Sequence, residues 1–188
     1  SGEAVNLVKA HTGIVNDLLF STDGRFLLTA SNDWTSKLYS MATGKVVRNL
    51  ASISEYIQSL SLSGSGNYLA FSSGHLETGN HVGVWDLQRG KLLPFFKGEG
   101  ANEFITEVAF SARNKSIGAS SVNGRLMWYA FPANGNSGDI SIGSAPMNAV
   151  TMTPNGKNYL GGTKDGNILL WRPDRNKSET IFADKSGI

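Results

Sequence analysis

The sequence predicts an all-β chain made of four antiparallel units of four strands each. Three observations carry this. The 188 residues include 22 Gly but only 5 Pro, with 40% apolar residues, the composition of a packed chain with many short strands and tight turns. The chain repeats itself at a period of about 43 residues, and a fixed period of that length marks a repeat architecture. Within each repeat, apolar residues alternate over short runs bounded by turn-forming residues, the signature of half-buried strands.

Each unit opens with a run of six: Val15 to Phe20, Ile57 to Leu62, Ile105 to Phe110 and Met147 to Met152, whose last residues are 42, 48 and 42 apart. Turns follow at Ser21 to Gly24, Ser63 to Gly66, Ser111 to Asn114 and Thr153 to Gly156. Their Gly, Asn and Asp accept positive φ, and Pro154 presets a turn. The second runs are Arg25 to Ala30, Asn67 to Phe71, Lys115 to Ala119 and Asn158 to Gly162. The third runs end in Tyr39, Trp85, Trp128 and Trp171, spaced 46, 43 and 43, and Asp86 follows Trp85. Fourth runs lie at Lys45 to Arg48, Lys91 to Phe95 and Glu179 to Phe182, with a weaker one at 138–142. The units therefore fall at about 10–50, 51–97, 98–142 and 143–183 of one domain, after a leading strand at about 4–8.

Four short strands per unit, with an aromatic residue closing the third, resemble the WD-repeat β-propeller family. The likeness runs from about Val5 to Phe182, although Trp85-Asp86 is the one intact dipeptide of its name. The resemblance implies blades held by a hydrogen-bonded set. This joins a His before the first strand, a Ser or Thr on the second, an Asp in the following turn and the Trp of the third. The first blade matches best, with His11, Thr29 and Asp33, and Tyr39 for Trp. The fourth keeps Asp165 and Trp171 without the His. The third has Asn123-Gly124 in the turn, and Trp128. The second has Trp85 but an insertion at 74–81. These residues are expected to be structural, and blades with incomplete sets to depend on apolar packing. The resemblance most often implies seven blades, so four are expected to form a partial propeller. The missing blades would come from a longer chain, or a second copy would close the ring as a homodimer.

Composition excludes several functions. Seventeen Lys and Arg against 15 Asp and Glu give a net charge of +2, which argues against a dedicated nucleic-acid surface. No cysteine is present, which removes disulfides and thiolate chemistry. No apolar run reaches the roughly 18 residues of a membrane span. The chain opens Ser1-Gly2 with no signal-peptide pattern, which reads as a cut or processed fragment. No nucleophile elbow, phosphate loop, dinucleotide fingerprint or zinc-protease helix occurs, so no enzyme activity and no cofactor are expected. His75, Glu77 and His81 are residue types that suit zinc, but their spacing matches no strand or helix register. Asn114 and Asn176 each open an Asn-x-Ser sequence, meaningful only in a secreted chain.

The candidate site is therefore a surface. Asn16, Gln58, Thr106 and Asn148 hold the second position of each first strand. Simple alternation puts them on the same face as Leu18, Leu60, Val108 and Val150, lining a channel mouth. Trp34 occupies a turn position that is ordinarily small or polar, and Trp is a preferred interface anchor. Tyr56 and Phe104 precede two first strands, and Arg125 lies near the same turns. This mixture suits protein or peptide recognition. The expected function is a non-catalytic protein-interaction scaffold, intracellular, in cytoplasm or nucleus. Its alternatives are a regulatory or sensor propeller within a larger enzyme and an architectural subunit that assembles through open blade edges.

Overall fold

The computed structural model describes residues 9–52, 55–75, 79–93, 96–97, 103–111, 113–132, 137–141, 145–153, 155–172 and 177–182. The expected leading strand at 4–8 lies outside them. The described residues form four antiparallel sheets in chain order, each a meander. The first holds β1 (Val15–Phe20), β2 (Phe26–Ser31), β3 (Thr35–Ser40) and β4 (Val46–Ser52). The second holds β5 (Tyr56–Leu62), β6 (Tyr68–His75), β7 (Gly79–Asp86) and β8 (Lys91–Leu92), with β9 (Phe96–Lys97) also on β7. The third holds β10 (Ile105–Phe110), β11 (Ser116–Ser121), β12 (Arg125–Ala130) and β13 (Ser137–Ser141). The fourth holds β14 (Met147–Met152), β15 (Tyr159–Thr163), β16 (Ile168–Arg172) and β17 (Lys177–Phe182).

The first turn of every sheet uses one device. A hydroxyl at its head accepts the amide that resumes the chain: Ser21 from Phe26 at 2.9 Å, Ser63 from Tyr68 at 3.0 Å, Ser111 from Ser116 at 3.0 Å and Thr153 from Asn158 at 3.2 Å. Three residues after the hydroxyl the backbone turns left-handed, at Gly24, Gly66, Asn114 and Gly156, where Gly and Asn are the tolerated types. The insertion at 74–81 lengthens a hairpin. Ser73 pairs with His81, Gly74 with Asn80 and His75 with Gly79, so strand residues replace much of the expected loop. Glu77 lies outside the described residues.

The core sits between blades rather than within them. Leu28, Ala30 and Leu50 of the first blade pack on Ile57, Leu60, Leu69 and Phe71 of the second. Ala70, Val82 and Val84 pack on Val108, Phe110 and Ile117 of the third. Leu126 packs on Met147, Val150, Tyr159 and Trp171 of the fourth. The third seam is shaped by Gly118, where a Cβ would lie 2.5 Å from the Tyr159 ring.

A β-bulge recurs in each first strand, between Val15 and Asp17, Ile57 and Ser59, Ile105 and Glu107, and Met147 and Ala149. A bulge inserts one residue and re-aims side chains. Simple alternation, which puts Asn16 beside Leu18, fails here for that reason. Asn16 and Asp17 both turn to the second blade, while Leu18 faces the opposite way. Asp17 Oδ2 accepts the Leu60 amide at 2.7 Å, Ser59 Oγ the Val108 amide at 3.3 Å and Glu107 Oε2 the Val150 amide at 2.6 Å. All three seams thus carry the same bond, from the fourth position of one first strand to the third position of the strand before it.

Burial holds the Glu107 carboxyl above its ordinary value, against the pull of the Val150 amide, and the nearby Asp17 charge adds to the rise. A raised carboxyl binds its proton more tightly folded than unfolded. Its contribution to stability is therefore complete below the ordinary Glu value of 4.5 and is lost as pH rises through the folded value. Glu107→Gln keeps the acceptor and removes the titration, so urea melts across pH should show a flatter decline above pH 4.5 than the parent. Glu107→Ala orphans the amide and should cost about 1–3 kcal/mol. Parallel pH curves for parent and Gln variant would count against this role.

Candidate interaction face

Each blade must first be tied at the end where its chain enters. In the first blade His11 is buried, and its Nδ1 lies 3.0 Å from Asp33 Oδ2 while Nε2 lies 2.6 Å from Thr29 Oγ1. Asp33 also accepts the Thr12 amide at 3.0 Å and the Thr35 hydroxyl at 2.6 Å. Burial pushes the Asp33 carboxyl up, but the bonds from Thr35, Thr12 and His11 outweigh it and hold it well below the ordinary range. The Tyr39 hydroxyl does not join this set by its own bond; it donates to the Ala10 carbonyl at 2.9 Å.

Blades two and three carry a reversed strap, which the sequence reading did not anticipate. An acid stands in the entering loop and a base on the third strand. Glu55 accepts the Ser73 hydroxyl at 2.6 Å and lies 3.2 Å from His81 Nδ1. Glu103, itself buried, accepts the Ser121 hydroxyl at 3.0 Å and Arg125 at 2.7 Å. Arg125 also reaches Asp139 at 2.7 Å. These blades therefore have polar straps as well as apolar packing. In the fourth, Asp165 closes its own turn by accepting from the Thr163 hydroxyl. Asp86 holds the turn after β7, accepting the Arg89 amide at 2.9 Å. Trp85 and Trp171 keep their indole nitrogens buried without a hydrogen-bond partner among the described residues, so they serve the seams as apolar bulk. Trp128 is half-buried and packs on the third seam. The His75 side chain lies outside the described residues, and His81 is engaged by Glu55.

Straps and seams together hold a cavity of about 490 Å³ where the first strands begin. Tyr56, Gln58, Phe104, Thr106 and Asn148 line it, with Asn32, Gly74, Ile105 and Val122. Five of the eight residues expected at a binding surface thus meet. Tyr56 is 42% exposed and Phe104 39% exposed. Two of the four polar residues are also fasteners. Asn16 Nδ2 donates to Asn32 Oδ1 at 2.6 Å and to the Ile57 carbonyl at 2.8 Å. Thr106 Oγ1 donates to the Met147 carbonyl at 2.7 Å and lies 2.8 Å from Ser120 Oγ. Gln58 and Asn148 present their amides at the surface.

Trp34 shares its turn with Asn32 but does not line the cavity. It is 42% exposed and has φ 68°, where the matching turns of blades three and four use Gly124 and Gly166. A bulky residue in the left-handed region is a strained outlier. Ile14 was not singled out in the sequence, yet it is exposed at the position equivalent to Tyr56 and Phe104. The repeat register alone was the signal that would have found it.

Comparison with known proteins agrees with the architecture. The family model described as WD domain, G-beta repeat matches residues 2–40. A WD repeat-containing protein 55 homolog of Dictyostelium discoideum is 26% identical over 86% of this chain and 37% of its own length. Eukaryotic translation initiation factor 3 subunit I of Drosophila willistoni is 26% identical over 92% of this chain and 42% of its own. An uncharacterized WD repeat-containing protein of a Synechocystis strain is 26% identical over 85% of this chain and 44% of its own. The chain spans about two fifths of the length of these relatives.

Removing Glu103 would take its buried carboxylate partner from Arg125 and the acceptor from the buried Ser121 hydroxyl. Glu103→Ala should therefore lower stability by about 3 kcal/mol, read as a reduced midpoint of thermal or urea unfolding. A loss under about 0.5 kcal/mol, the scale of an exposed surface pair, would show that the reversed strap does not hold the blade.

Proposed function

Because the chain belongs to the WD-repeat family, we propose that it is a non-catalytic scaffold that binds an extended peptide or loop of a partner protein across the mouth between its blades. One observation carries the reading. Two half-exposed aromatic rings, Tyr56 and Phe104, hold equivalent positions in adjacent blades beside the amides of Gln58 and Asn148, around a single cavity. Aromatic anchors beside adaptable polar groups are what peptide recognition needs. The mechanism is rigid presentation: seams and straps fix the loops beforehand, so little ordering remains to oppose docking.

Trp34 extends the face. Its left-handed backbone is a conformation that glycine adopts without strain, and strain of this kind gathers at ligand-clamping positions. Among the similar proteins is a subunit, by name, of an initiation factor, which supports a role within an assembly. An intracellular setting, cytoplasmic or nuclear, goes with this reading.

The test uses Tyr56→Ala, Phe104→Ala and Trp34→Gly, with circular dichroism matched to the parent. Capture of a partner from lysate should fall roughly 30-fold for each anchor that is a hot spot. Trp34→Gly should bind less while unfolding at a higher denaturant concentration, by about 1 kcal/mol of relieved backbone strain. Equal capture by all three variants would sink the proposal, and a destabilised Trp34→Gly would show that Trp34 serves packing.

A further inference from the structure

The first blade has an open entry face, and the other three show what belongs on one. Leu18, Leu60, Val108 and Val150 are equivalent. The last three are 6%, 3% and 4% exposed, each against the preceding blade, whereas Leu18 is 56% exposed. Phe20 is 59% exposed where its counterpart Phe110 is 8% exposed. Val15, Leu18, Leu27 and Tyr39 line a shallow apolar depression of about 480 Å³ on this face. In the filled seams, a side chain at the third position of the preceding first strand takes the amide of the Leu18 equivalent: Asp17, Ser59 or Glu107. The Leu18 amide itself turns to Oδ1 of its neighbour Asp17 at 2.7 Å.

We propose that this face seats a further β-blade that carries Asp, Glu or Ser at the third position of its innermost strand, and that the chain's own fourth blade does not qualify. The series at that position runs Asp17, Ser59, Glu107, Ala149. Alanine offers no acceptor. A second copy docked head to tail would bury Leu18 and Phe20 but make no bond from Ala149, the contact that every described seam has. The occupant is thus a blade of stated chemistry from outside these four, which continues the three seams already present. Apolar burial drives the docking, and the side-chain acceptor selects which blade docks, since a buried amide left without a partner is penalised. This separates two modes of completion that blade counting alone leaves equal.

The test converts the fourth blade into an acceptor blade and asks whether the chain then recognises itself. Sedimentation equilibrium over a dilution series is run on the parent, Ala149→Asp and Ala149→Ser, with Ala149→Val as a control of size. Each is repeated with Leu18→Asp. Position 149 is exposed, and its equivalents hold Asp and Ser in folded blades, so these variants keep the fold. The parent and the Val variant are expected to stay at 20.1 kDa. The Asp and Ser variants should associate at least about tenfold more tightly, and Leu18→Asp should abolish the gain. A parent that already forms a stable dimer sensitive to Leu18→Asp would make a second copy the occupant and overturn the proposal. Equal association by parent and Asp variant, or a gain indifferent to Leu18→Asp, would overturn it as well.

Discussion

The structure depends on how the innermost strand of each blade satisfies its outward amides. That strand is a sheet edge, and an edge exposes unpaired donors that must find partners or be left for association. Here the partner is a side chain of the blade before. The bulge in β1, β5, β10 and β14 makes this possible, since the extra residue lets the second and third positions turn toward the same neighbour. Asn16 and Asp17 then grip the carbonyl of Ile57 and the amide of Leu60, three residues apart on one strand. Thr106 and Glu107 grip Met147 and Val150 in the same way. Ser59 and Ser61 do it with two hydroxyls on Val108 and Phe110. The seams between blades thus carry both hydrogen bonds and apolar packing.

The straps answer a different need. They pin the loop that enters a blade onto the second and third strands, and their charge sense reverses along the chain. His11 to Asp33 is base to acid, while Glu55 to His81 and Glu103 to Arg125 are acid to base. Both arrangements satisfy one hydroxyl on the second strand: Thr29, Ser73 or Ser121. The requirement is a paired, hydrogen-bonded charge beside a buried hydroxyl, and more than one residue set meets it. With entry loops and seams both fixed, the aromatic residues at the mouth stand on a stiff base, and the strained Trp34 turn is tolerated.

Much of the fold was legible because its signals are local. Runs such as Ile105 to Phe110 and turns such as Ser21 to Gly24 announce themselves by alternation and by residues that accept positive φ. Of the expected single run at 91–95, the described residues hold a strand at Lys91–Leu92, and a further short strand follows at Phe96–Lys97. The seam acceptors were not legible. Asp17, Ser59 and Glu107 share no residue type, and their partners lie 43 to 49 residues away. Glu55 and Glu103 stand visibly in the entry loops, but a frame that sought a histidine before each first strand gave them no strap role. At Arg125 a sequence shows a guanidinium and not the two carboxylates that hold it. That Tyr56 and Phe104 stand beside one cavity could be read from repeat alignment, which places residues in space before any coordinate does.

The most direct measurement is amide hydrogen exchange at Leu60, residue by residue, in the parent and in Asp17→Ala. If side chains across the seam hold the innermost strands, the Leu60 amide should lose protection by at least about tenfold. The Leu69 amide, on the next strand of the same blade, should change far less. An unchanged Leu60 amide, or an equal loss at both positions, would contradict the account. The blades would then be joined by apolar packing alone.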